Sequence, residues 1–415
     1  MVGSATLLLM NNLDGKHIVL GLTGGIACYK AAELCRALIK EGATVQVVMT
    51  QAAEQFITPV TMQALSGRPV YDSQWDSREA NNMPHINLSR EADAILIAPC
   101  SADFMAKLLH GRADDLLSLM CLARPIDKVP LLLALAMNRE MWANPATQRN
   151  VAQIKADGVT IFDVGNGYQA CGETGDGRML EAEELLEDVV AFFGPKSMSG
   201  LNVLITAGPT YEAIDPVRGI TNRSSGKMGF AVARAAREAG AKVTLVAGPV
   251  HLPTPRGVSR INVTSAIEML QAVESCVDSA TLFIATAAVA DWRPAVAAEM
   301  KMKKGQSGDS PEIRFSENPD ILATVARSRR AMDGDLFCVG FAAESHDLKA
   351  NAQLKRERKG VPLLVGNIGP ETFGLDDNAL ILVDPTGVVE LKRDTKLVLA
   401  RKLIAEIASR LGQTA

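Results

Sequence analysis

The chain has 415 residues, of which 47% are hydrophobic and 22% are charged, a balance typical of a soluble globular protein with two or three domains. The net charge of −4 comes without a basic stripe and only 4% of the residues are aromatic, so no nucleic-acid partner is predicted. Seven cysteines without a C-x-x-C spacing argue against a disulfide framework or a zinc site, and favour a reducing cytoplasm.

The first predicted elements follow a short leader, MVGSATLLLMNN. Its apolar run is too short to span a membrane and has no basic residues before it, so we expect neither a signal peptide nor a membrane anchor. KHIVLGL, CYKAAELCRALIKEG and ATVQVVMT then predict a strand, a helix and a strand, which form a βαβ unit. Further strands at AILIAP and VPLLLAL and a helix over 181–192 complete the first half.

The same pattern starts again near Gly200, after the Gly-, Pro- and Ser-rich segment FGPKSMSG. LNVLITA, GKMGFAVARAAREAG and AKVTLVAG predict a second βαβ unit, followed by strands at TLFIATA, LFCVGFA and VPLLVGN, a hairpin at ALILVDPTGVVEL and a helix over 394–411. We therefore expect an α/β protein with two doubly wound, Rossmann-like parallel-sheet domains, over 14–193 and 199–415. Ligands should bind outside the carboxyl ends of the strands.

Neither half opens with a known nucleotide fingerprint. GLTGGIA is not G-x-G-x-x-G and no acidic residue closes the following strand, so an NAD site is not predicted. TNRSSGKMG lacks the spacing of a P-loop, because the nearest upstream glycine is Gly219 and Met228 stands where a hydroxyl is needed. TGGIA is either a tight turn without a ligand or a set of amides at a helix start that suits a phosphate monoester.

Four stretches of the first half place chemically useful side chains in predicted loops. NMPHINLSR contains His85, Ser101 opens a helix after AILIAP, and Asn138 follows the strand VPLLLAL. QACGETGDGRML sets Cys171 in a polar, glycine-rich stretch, which indicates a mobile flap with a thiol. The reference pKa of a thiol, about 8.5, allows it to donate a proton near neutral pH. A structural histidine and an incidental cysteine in a solvated loop are the alternatives.

Taken in order, TGGIA, His85, PCSAD, AMNREMW and CGETGDGRM resemble the flavin-dependent cysteine decarboxylases. Over 14–412 the chain is similar to the bacterial bifunctional family that combines a phosphopantothenoylcysteine decarboxylase with a phosphopantothenate–cysteine ligase in coenzyme A synthesis. The order of the motifs is specific, although no single motif is. The resemblance implies a cytoplasmic enzyme and a homo-oligomer, which in this family is a dodecamer of flavin-domain trimers and ligase-domain dimers.

For the first domain the resemblance implies FMN and the decarboxylation of 4′-phospho-N-pantothenoylcysteine to 4′-phosphopantetheine without net redox. His85 would assist the oxidative decarboxylation, Asn138 would bind the substrate carboxylate, and Cys171 would supply the proton when the hydride returns. In this chain Leu135 stands where the family's Pro-x-Met-Asn loop begins with proline, and Cys100 lies in a turn that more often reads Ala-Ser/Thr-Ala-Asn or Asp. The residues implied to hold FMN are Thr23, Gly24, Gly25, Ile26, Thr50, Ser101, Ala102 and Asp103, and those implied to contact the substrate are Met137, Asn138, Arg178 and Met179.

For the second domain the resemblance implies that CTP activates 4′-phosphopantothenate as an acyl-cytidylate, which L-cysteine then attacks, with Mg²⁺ held largely by the CTP phosphates. Asn222 would contact the substrate, and Lys301 in AEMKMKKG would be the catalytic lysine, with a solvated lysine run as the alternative. Lys227 either opens a helix at the site or is solvated. The residues implied to bind CTP are Ala285, Thr286, Ala287, Asp291, Lys301, Pro319, Asp320, Ile321, Phe341, Lys355 and Lys359, the last two being on one helix face.

Two rival hypotheses remain at this point. One is a non-catalytic flavin-binding relative that acts through protein interaction, and the presence of both His85 and Cys171 argues against it. The other is a tandem NAD-dependent oxidoreductase, which the missing fingerprint argues against. The visible absorbance of a flavin would separate the flavoproteins from the NAD enzyme.

Overall fold

The computed structural model describes residues 12–78, 81–302, 312–344, 347–368 and 374–412. Most of the leader lies outside these ranges. The chain divides into two compact units, Met1–Phe193 and Gly194–Ala415. Among the described helices, none combines the length and the apolar character needed to cross a lipid bilayer.

The first unit is built on a five-stranded sheet in the order β2-β1-β3-β4-β5, in which all neighbouring strands are parallel. Its strands are β1 His17–Leu22, β2 Thr44–Met49, β3 Ala94–Cys100, β4 Leu131–Leu135 and β5 Thr160–Phe162. Its helices are α1 Cys28–Lys40, α2 Pro59–Ser66, α3 Pro84–Glu91, α4 Ala102–Leu109, α5 Leu116–Ala123, α6 Arg139–Ala143, α7 Pro145–Ala156 and α8 Ala182–Phe193, with a 3₁₀ turn at Ala53–Gln55.

Both faces of this sheet are covered by helices. Leu96 of β3 packs in one core with Leu34 of α1 and Leu185 of α8. Ile95, its neighbour on the same strand, packs in a second core with Leu117 of α5. Successive side chains of a strand point to opposite faces, so a continuous apolar strand needs cover on both sides, and that cover is what makes the unit doubly wound.

A small antiparallel hairpin follows this sheet and corrects one expectation. The stretch around Cys171 was expected to be a mobile loop, but its flanks form β6 Gly165–Tyr168 and β7 Thr174–Arg178, which pair with each other. Each strand contains two glycines, with Asn166 in β6 and Asp176 in β7, and these residue types are depleted in sheets. The sequence therefore shows no alternating pattern that would predict the pairing. Cys171 therefore lies in the turn of a hairpin.

The second unit contains an eight-stranded sheet in the order β12-β11-β8-β13-β16-β17-β18-β19. The first six strands of this order are parallel, and β17, β18 and β19 pair antiparallel at one edge. The strands of the unit are β8 Asn202–Ala207, β9 Tyr211–Ala213, β10 Gly219–Thr221, β11 Lys242–Ala247, β12 Val258–Asn262, β13 Leu282–Ala285, β14 Trp292–Pro294, β15 Phe315–Glu317, β16 Phe337–Glu344, β17 Leu363–Ile368, β18 Asp377–Asp384 and β19 Gly387–Thr395. Its helices are α9 Lys227–Glu238, α10 Ala266–Val277, α11 Ile321–Ala326, α12 Arg329–Met332, α13 Leu348–Lys359 and α14 Lys396–Arg410.

This sheet is also covered on both faces. Ile205 of β8 lies in a core with Val232 of α9 and Leu403 of α14, while Leu204 lies in the opposite core with Met269 of α10. The predicted α/β class with two doubly wound sheets is confirmed, and so is the hairpin, which forms β18 and β19. The short pairs β9–β10 and β14–β15 were not predicted, because strands of three residues carry no readable period.

Candidate active sites

A cavity of about 830 Å³ lies at the carboxyl ends of the strands of the first unit. Thr23 follows β1, Thr50 follows β2, Ser101 follows β3 and Asn138 lies beyond β4, and all four line the cavity. This is the sheet edge at which doubly wound proteins bind ligands. The other predicted residues that line the cavity are Gly24, Gly25, Ile26, Ala102, Asp103, Met137, Cys171, Arg178 and Met179.

The ends of β1 and β3 are tied together by the Thr23 hydroxyl. It donates a hydrogen bond to the carbonyl of Pro99 at 2.8 Å and accepts one from the N–H of Ser101 at 2.9 Å. The Ser101 hydroxyl in turn caps α4 by accepting the N–H of Phe104 at 3.2 Å. A Cβ added at Gly24 would lie 2.7 Å from the Cβ of Ala52, so the turn before α1 packs too closely there for a side chain. Two helices thus begin at this cavity with their positive ends toward it.

Asn138 and Cys171 meet in one hydrogen-bonded cluster at the mouth of the hairpin. The Nδ2 atom of Asn138 lies 2.5 Å from Oε2 of Glu173, 3.3 Å from Sγ of Cys171 and 3.4 Å from Oε1 of Gln169. The thiol donates to the same Glu173 oxygen over 3.4 Å. Hydrogen bonds from Asn138 and Cys171 hold the pKa of Glu173 below its usual range. The cluster therefore places an amide donor, a thiol and a carboxylate within reach of one another.

Two buried groups that line the same cavity were not predicted. Gln169 is 6% exposed and accepts the N–H of Arg139 at 3.0 Å. Lys30 is 3% exposed in α1, and its ammonium donates to the carbonyl of Met179 at 2.8 Å and to Glu181 at 2.7 Å. A lysine on the apolar face of a helix was the available signal for Lys30. For Glu173 the sequence offered one signal, its position two residues after Cys171.

His85 is not brought to this cluster within one chain. It lies half-buried in the first turn of α3, and it is not among the described residues that line the cavity. The prediction of a loop there was wrong, because Pro84 takes the first position of the helix, where its missing N–H costs nothing. Leu135, in place of the family's proline, is buried as the last residue of β4.

The seven cysteines differ sharply in their exposure. Cys171 is exposed, Cys276 is intermediate, and the other five are buried. Burial raises the pKa of Cys28 and Cys35 to about 11 and that of Cys338 to about 12. The buried thiols are Cys28, Cys35, Cys100, Cys121 and Cys338.

A second cavity, of about 860 Å³, lies at the carboxyl ends of β8, β13 and β16 in the second unit. Lys301 is not among the described residues that line it, and its neighbours Lys303 and Lys304 lie outside the described ranges. Three further cations that line it, Arg327, Arg358 and Lys396, were not predicted. The predicted residues that line it are Asn222, Ala285, Thr286, Ala287, Asp291, Pro319, Asp320, Ile321, Phe341, Lys355 and Lys359.

Helices α11 and α13 meet at this cavity through an ion pair between Lys359 and Asp320. Asp320 also caps α11 by accepting the N–H of Ala323 at 3.0 Å. Burial acts to raise the pKa of Asp320, but the hydrogen bonds from Lys359 and from the helix start hold it below its usual value. Lys355 lies one turn before Lys359 and also lines the cavity, as the i,i+4 spacing predicts.

The stretch TNRSSGKMG runs from Thr221, the last residue of β10, through a loop into the first turn of α9. Gly226 has φ +75 and precedes the first residue of the helix, a conformation that favours glycine. The ammonium of Lys227 donates to Asp376 at 2.6 Å and to the carbonyl of Gly374 at 3.2 Å, so this lysine is paired and not merely solvated. Asn222, at the start of the loop, lines the cavity.

The peptide next to Lys301 is held by the turn between β9 and β10. The Asp215 carboxylate, fully buried, accepts the N–H of Met302 at 3.1 Å, and the Arg218 guanidinium donates to the carbonyl of Met302 at 2.8 Å. The same two side chains pair with each other, Nε to Oδ2, at 3.0 Å. The strand β10 that follows this turn leads directly to Asn222. Within the described ranges, no three His, Cys, Asp or Glu side chains are grouped to hold a metal ion.

Two family models match the chain and together cover most of it. The Flavoprotein model matches residues 8–194, and the model of the DNA/pantothenate metabolism flavoprotein C-terminal domain matches residues 198–411. The coenzyme A biosynthesis bifunctional protein CoaBC of Vibrio cholerae is 50% identical over 394 residues, which are 94% of this chain and 97% of that protein. The chain belongs to the CoaBC family.

One further full-length relative and one solved structure are also similar to the chain. The CoaBC protein of Escherichia coli is 45% identical over 407 residues, covering 97% of this chain and 99% of that protein. A crystal structure of the C-terminal domain of a CoaBC protein is 35% identical, with a TM-score of 0.45, and covers 53% of this chain and 100% of that one. The two full-length relatives and the two family models confirm the resemblance inferred from the motifs. As a CoaBC protein the chain is a bifunctional enzyme of coenzyme A biosynthesis, a phosphopantothenoylcysteine decarboxylase and a phosphopantothenate–cysteine ligase.

Proposed function

We propose that residues 199–415 join 4′-phosphopantothenate to L-cysteine with CTP and Mg²⁺, and that residues 14–193 then decarboxylate the product with FMN. The observation that carries this proposal is the meeting of Asn138 and Cys171 in one cavity at the carboxyl edge of the first sheet. We further propose that the enzyme is cytoplasmic and homo-oligomeric, with the dodecameric arrangement of its family.

The first cavity fits FMN by the chemistry of its walls. The starts of α1 and α4 supply amide donors and positive helix ends suited to a phosphate monoester. Ile26, Met137 and Met179 supply apolar surface for a flat ring. When bound, FMN would supply reversible hydride-transfer chemistry for the cysteinyl part of the substrate.

The chain's own residues bind the substrate and handle the protons. The Asn138 amide donates to the substrate carboxylate, and the Cys171 thiol gives its proton to the substrate when the hydride returns. Arg178 and Met179, at the end of the hairpin, belong to the clamp over the substrate.

We propose that His85 reaches the cavity from a neighbouring copy of the chain. Within one chain it does not line the cavity, although the family assigns it to the oxidative decarboxylation. Ile26 and Tyr29 line the same cavity and are 63% and 57% exposed, so they offer apolar surface that a binding partner can cover. A neighbouring copy would cover them in the proposed homo-oligomer.

The second cavity binds a triphosphate and an activated carboxylate. Lys355, Lys359 and the start of α11 supply positive charge for the CTP phosphates, which bring Mg²⁺ with them. Phe341 packs against the base, and Ala285–Ala287 and Asp291 line the cytidine end. Lys301 stabilises the charge that develops as pyrophosphate leaves, and Asn222 holds the acyl-cytidylate until the cysteine amine attacks its carbonyl.

The proposal is tested by incubating the purified chain with 4′-phosphopantothenate, cysteine, CTP and Mg²⁺, with the products identified by mass. We expect 4′-phosphopantetheine, CMP, pyrophosphate and CO₂, and a yellow protein. Omitting CTP should stop the sequence, and supplying 4′-phospho-N-pantothenoylcysteine should restore decarboxylation alone. A colourless preparation that makes no amide would contradict the proposal.

The two activities should separate when the chain is divided near residue 195. Each half contains its own βαβ start and a sheet covered on both faces, so each should fold alone. We expect residues 1–195 to bind FMN and decarboxylate, and residues 196–415 to form the amide. Size and activity of both fragments are the measurements. A fragment that assembles but works only when mixed with the other would reveal a site shared between the halves.

A further inference from the structure

The segment that carries Lys301 is fixed by one turn of the neighbouring hairpin. Residues 214–218 connect β9 to β10, and they bond to this segment on both sides of the lysine. The N–H of Ala298, three residues before Lys301, donates to the carbonyl of Ile214 at 2.9 Å. The peptide groups of Met302, one residue after it, bond to Asp215 and Arg218. The backbone around Lys301 is therefore pinned at two points.

Asp215 is the centre of this arrangement. Its carboxylate accepts the N–H groups of Val217 at 2.9 Å, Arg218 at 2.8 Å and Met302 at 3.1 Å, in addition to the Arg218 guanidinium. Its side chain has no exposed surface, while that of Arg218 is 50% exposed. A buried charge is retained only where hydrogen bonds replace water so completely.

Arg218 binds the other backbone group of Met302, its carbonyl. Its fork donates to Asp215 and, through Nη2, to the carbonyl of Met302 at 2.8 Å. Both backbone groups of one residue are thus bound by a single ion pair. The planar guanidinium meets the carboxylate through Nε and the carbonyl through Nη2 in one fixed geometry, which a flexible lysine ammonium does not reproduce.

We propose that Asp215 and Arg218 are positioning residues of the ligase, which fix the backbone at Lys301 and keep it in register with Asn222. The proposal rests on the catalytic role proposed above for Lys301. The turn that grips Met302 continues through β10 into Asn222, so one short hairpin sets the relative position of the two residues. Neither side chain need touch the substrate, because each acts through the peptide it holds.

The hydrogen bonds of the Asp215 carboxylate should persist over the whole working range of pH. The Arg218 hydrogen bond, opposed by burial and supported by the backbone N–H groups, keeps the pKa of Asp215 far below its usual value. A lowered carboxyl pKa means that the charged form is present above that value and is lost only as the pH falls through it. The ligase should therefore show no acidic limb from this residue between pH 5 and 9.

The test is a double-mutant cycle between Asp215→Asn and Lys301→Gln in the full chain. Asparagine keeps the shape but turns one acceptor into a donor that faces other donors, which breaks the hold on Met302. We expect amide formation to fall by about 10²-fold, as for a catalytic group misplaced by about an ångström. Because Asp215 acts through Lys301, the double variant should be no slower than Lys301→Gln alone.

The matched control is Glu212→Gln, on the preceding strand. Glu212 is 3% exposed and accepts the N–H of Ala266 at 3.0 Å, but no hydrogen bond of the described residues links it to the segment at Lys301. In the double variant Glu212→Gln/Lys301→Gln, the fold reductions in the rate of amide formation should multiply. If the effect of Asp215→Asn also multiplies, the positioning role is wrong.

Two further measurements separate this role from misfolding and from failure of the proposed function. Decarboxylation of supplied 4′-phospho-N-pantothenoylcysteine reports the intact first unit. Arg218→Lys, at a half-exposed site, replaces Asp215→Asn if that variant does not fold, and it should show the same non-additivity. A parent chain that forms no amide would overturn the proposed function, and a Lys301→Gln variant with parental activity would overturn the role of Lys301, before Asp215 is considered.

Discussion

Replacing Cys171 with serine should leave the loss of CO₂ intact and prevent the completion of the decarboxylase reaction. The serine hydroxyl can keep the contacts that the thiol makes with Asn138 and Glu173, so the hairpin should hold its place. It is a far weaker acid than a thiol, however, and cannot supply the proton that accompanies the returning hydride. Mass analysis should show a product two hydrogens lighter than 4′-phosphopantetheine.

The control for this variant is Cys276→Ser, which changes a partly exposed thiol in the other unit. It should behave as the parent in both reactions. Formation of normal 4′-phosphopantetheine by Cys171→Ser would show that another group supplies the proton.

Replacing Lys301 with glutamine should cripple the ligase and spare the flavin-dependent reaction. Removing one preorganised donor or charge from a reacting centre typically slows a reaction by about 10²–10³-fold. Amide formation from 4′-phosphopantothenate, cysteine and CTP is the measurement. Colour and decarboxylation of supplied substrate should match the parent.

Lys242→Gln is the matched control, because Lys242 is an exposed lysine at the start of β11 in the same unit. It should leave amide formation unchanged. Parental activity in both lysine variants would mean that Lys301 is an ordinary solvated lysine.

The sequence predicted the frame of both units because their strands are buried on both faces. Runs such as AILIAP and VPLLLAL are apolar throughout, and the helices between them have clear periods. Carboxyl ends of parallel strands share one edge, so Thr23, Ser101 and Asn138 could be expected together from strand order alone. The short strands escaped prediction for two reasons: β9 and β10, of three residues each, are too short to show a period, and β6 and β7 are rich in glycine.

The residues that sequence reasoning missed act through other residues. Glu173 binds Asn138, and Asp215 binds the backbone of Met302, the residue after Lys301. Such contacts depend on the three-dimensional structure and leave no pattern in the sequence. The case of His85 is the reverse, because its sequence motif was recognisable but His85 is not among the described residues that line the cavity within one chain. A motif predicts which residue takes part in a site. The distance from that residue to the others follows from the fold or from a neighbouring copy of the chain.

The uneven burial of the thiols gives the bifunctional enzyme an uneven sensitivity to oxidants. Thiolates are the forms that peroxides attack, so the five buried cysteines, whose pKa values are all raised by burial, are protected by both burial and protonation. Cys171 is exposed at the decarboxylase cavity, whereas no cysteine is among the described residues that line the ligase cavity. If Cys171 is the proton donor proposed above, oxidants should stop decarboxylation before amide formation, and 4′-phospho-N-pantothenoylcysteine should accumulate.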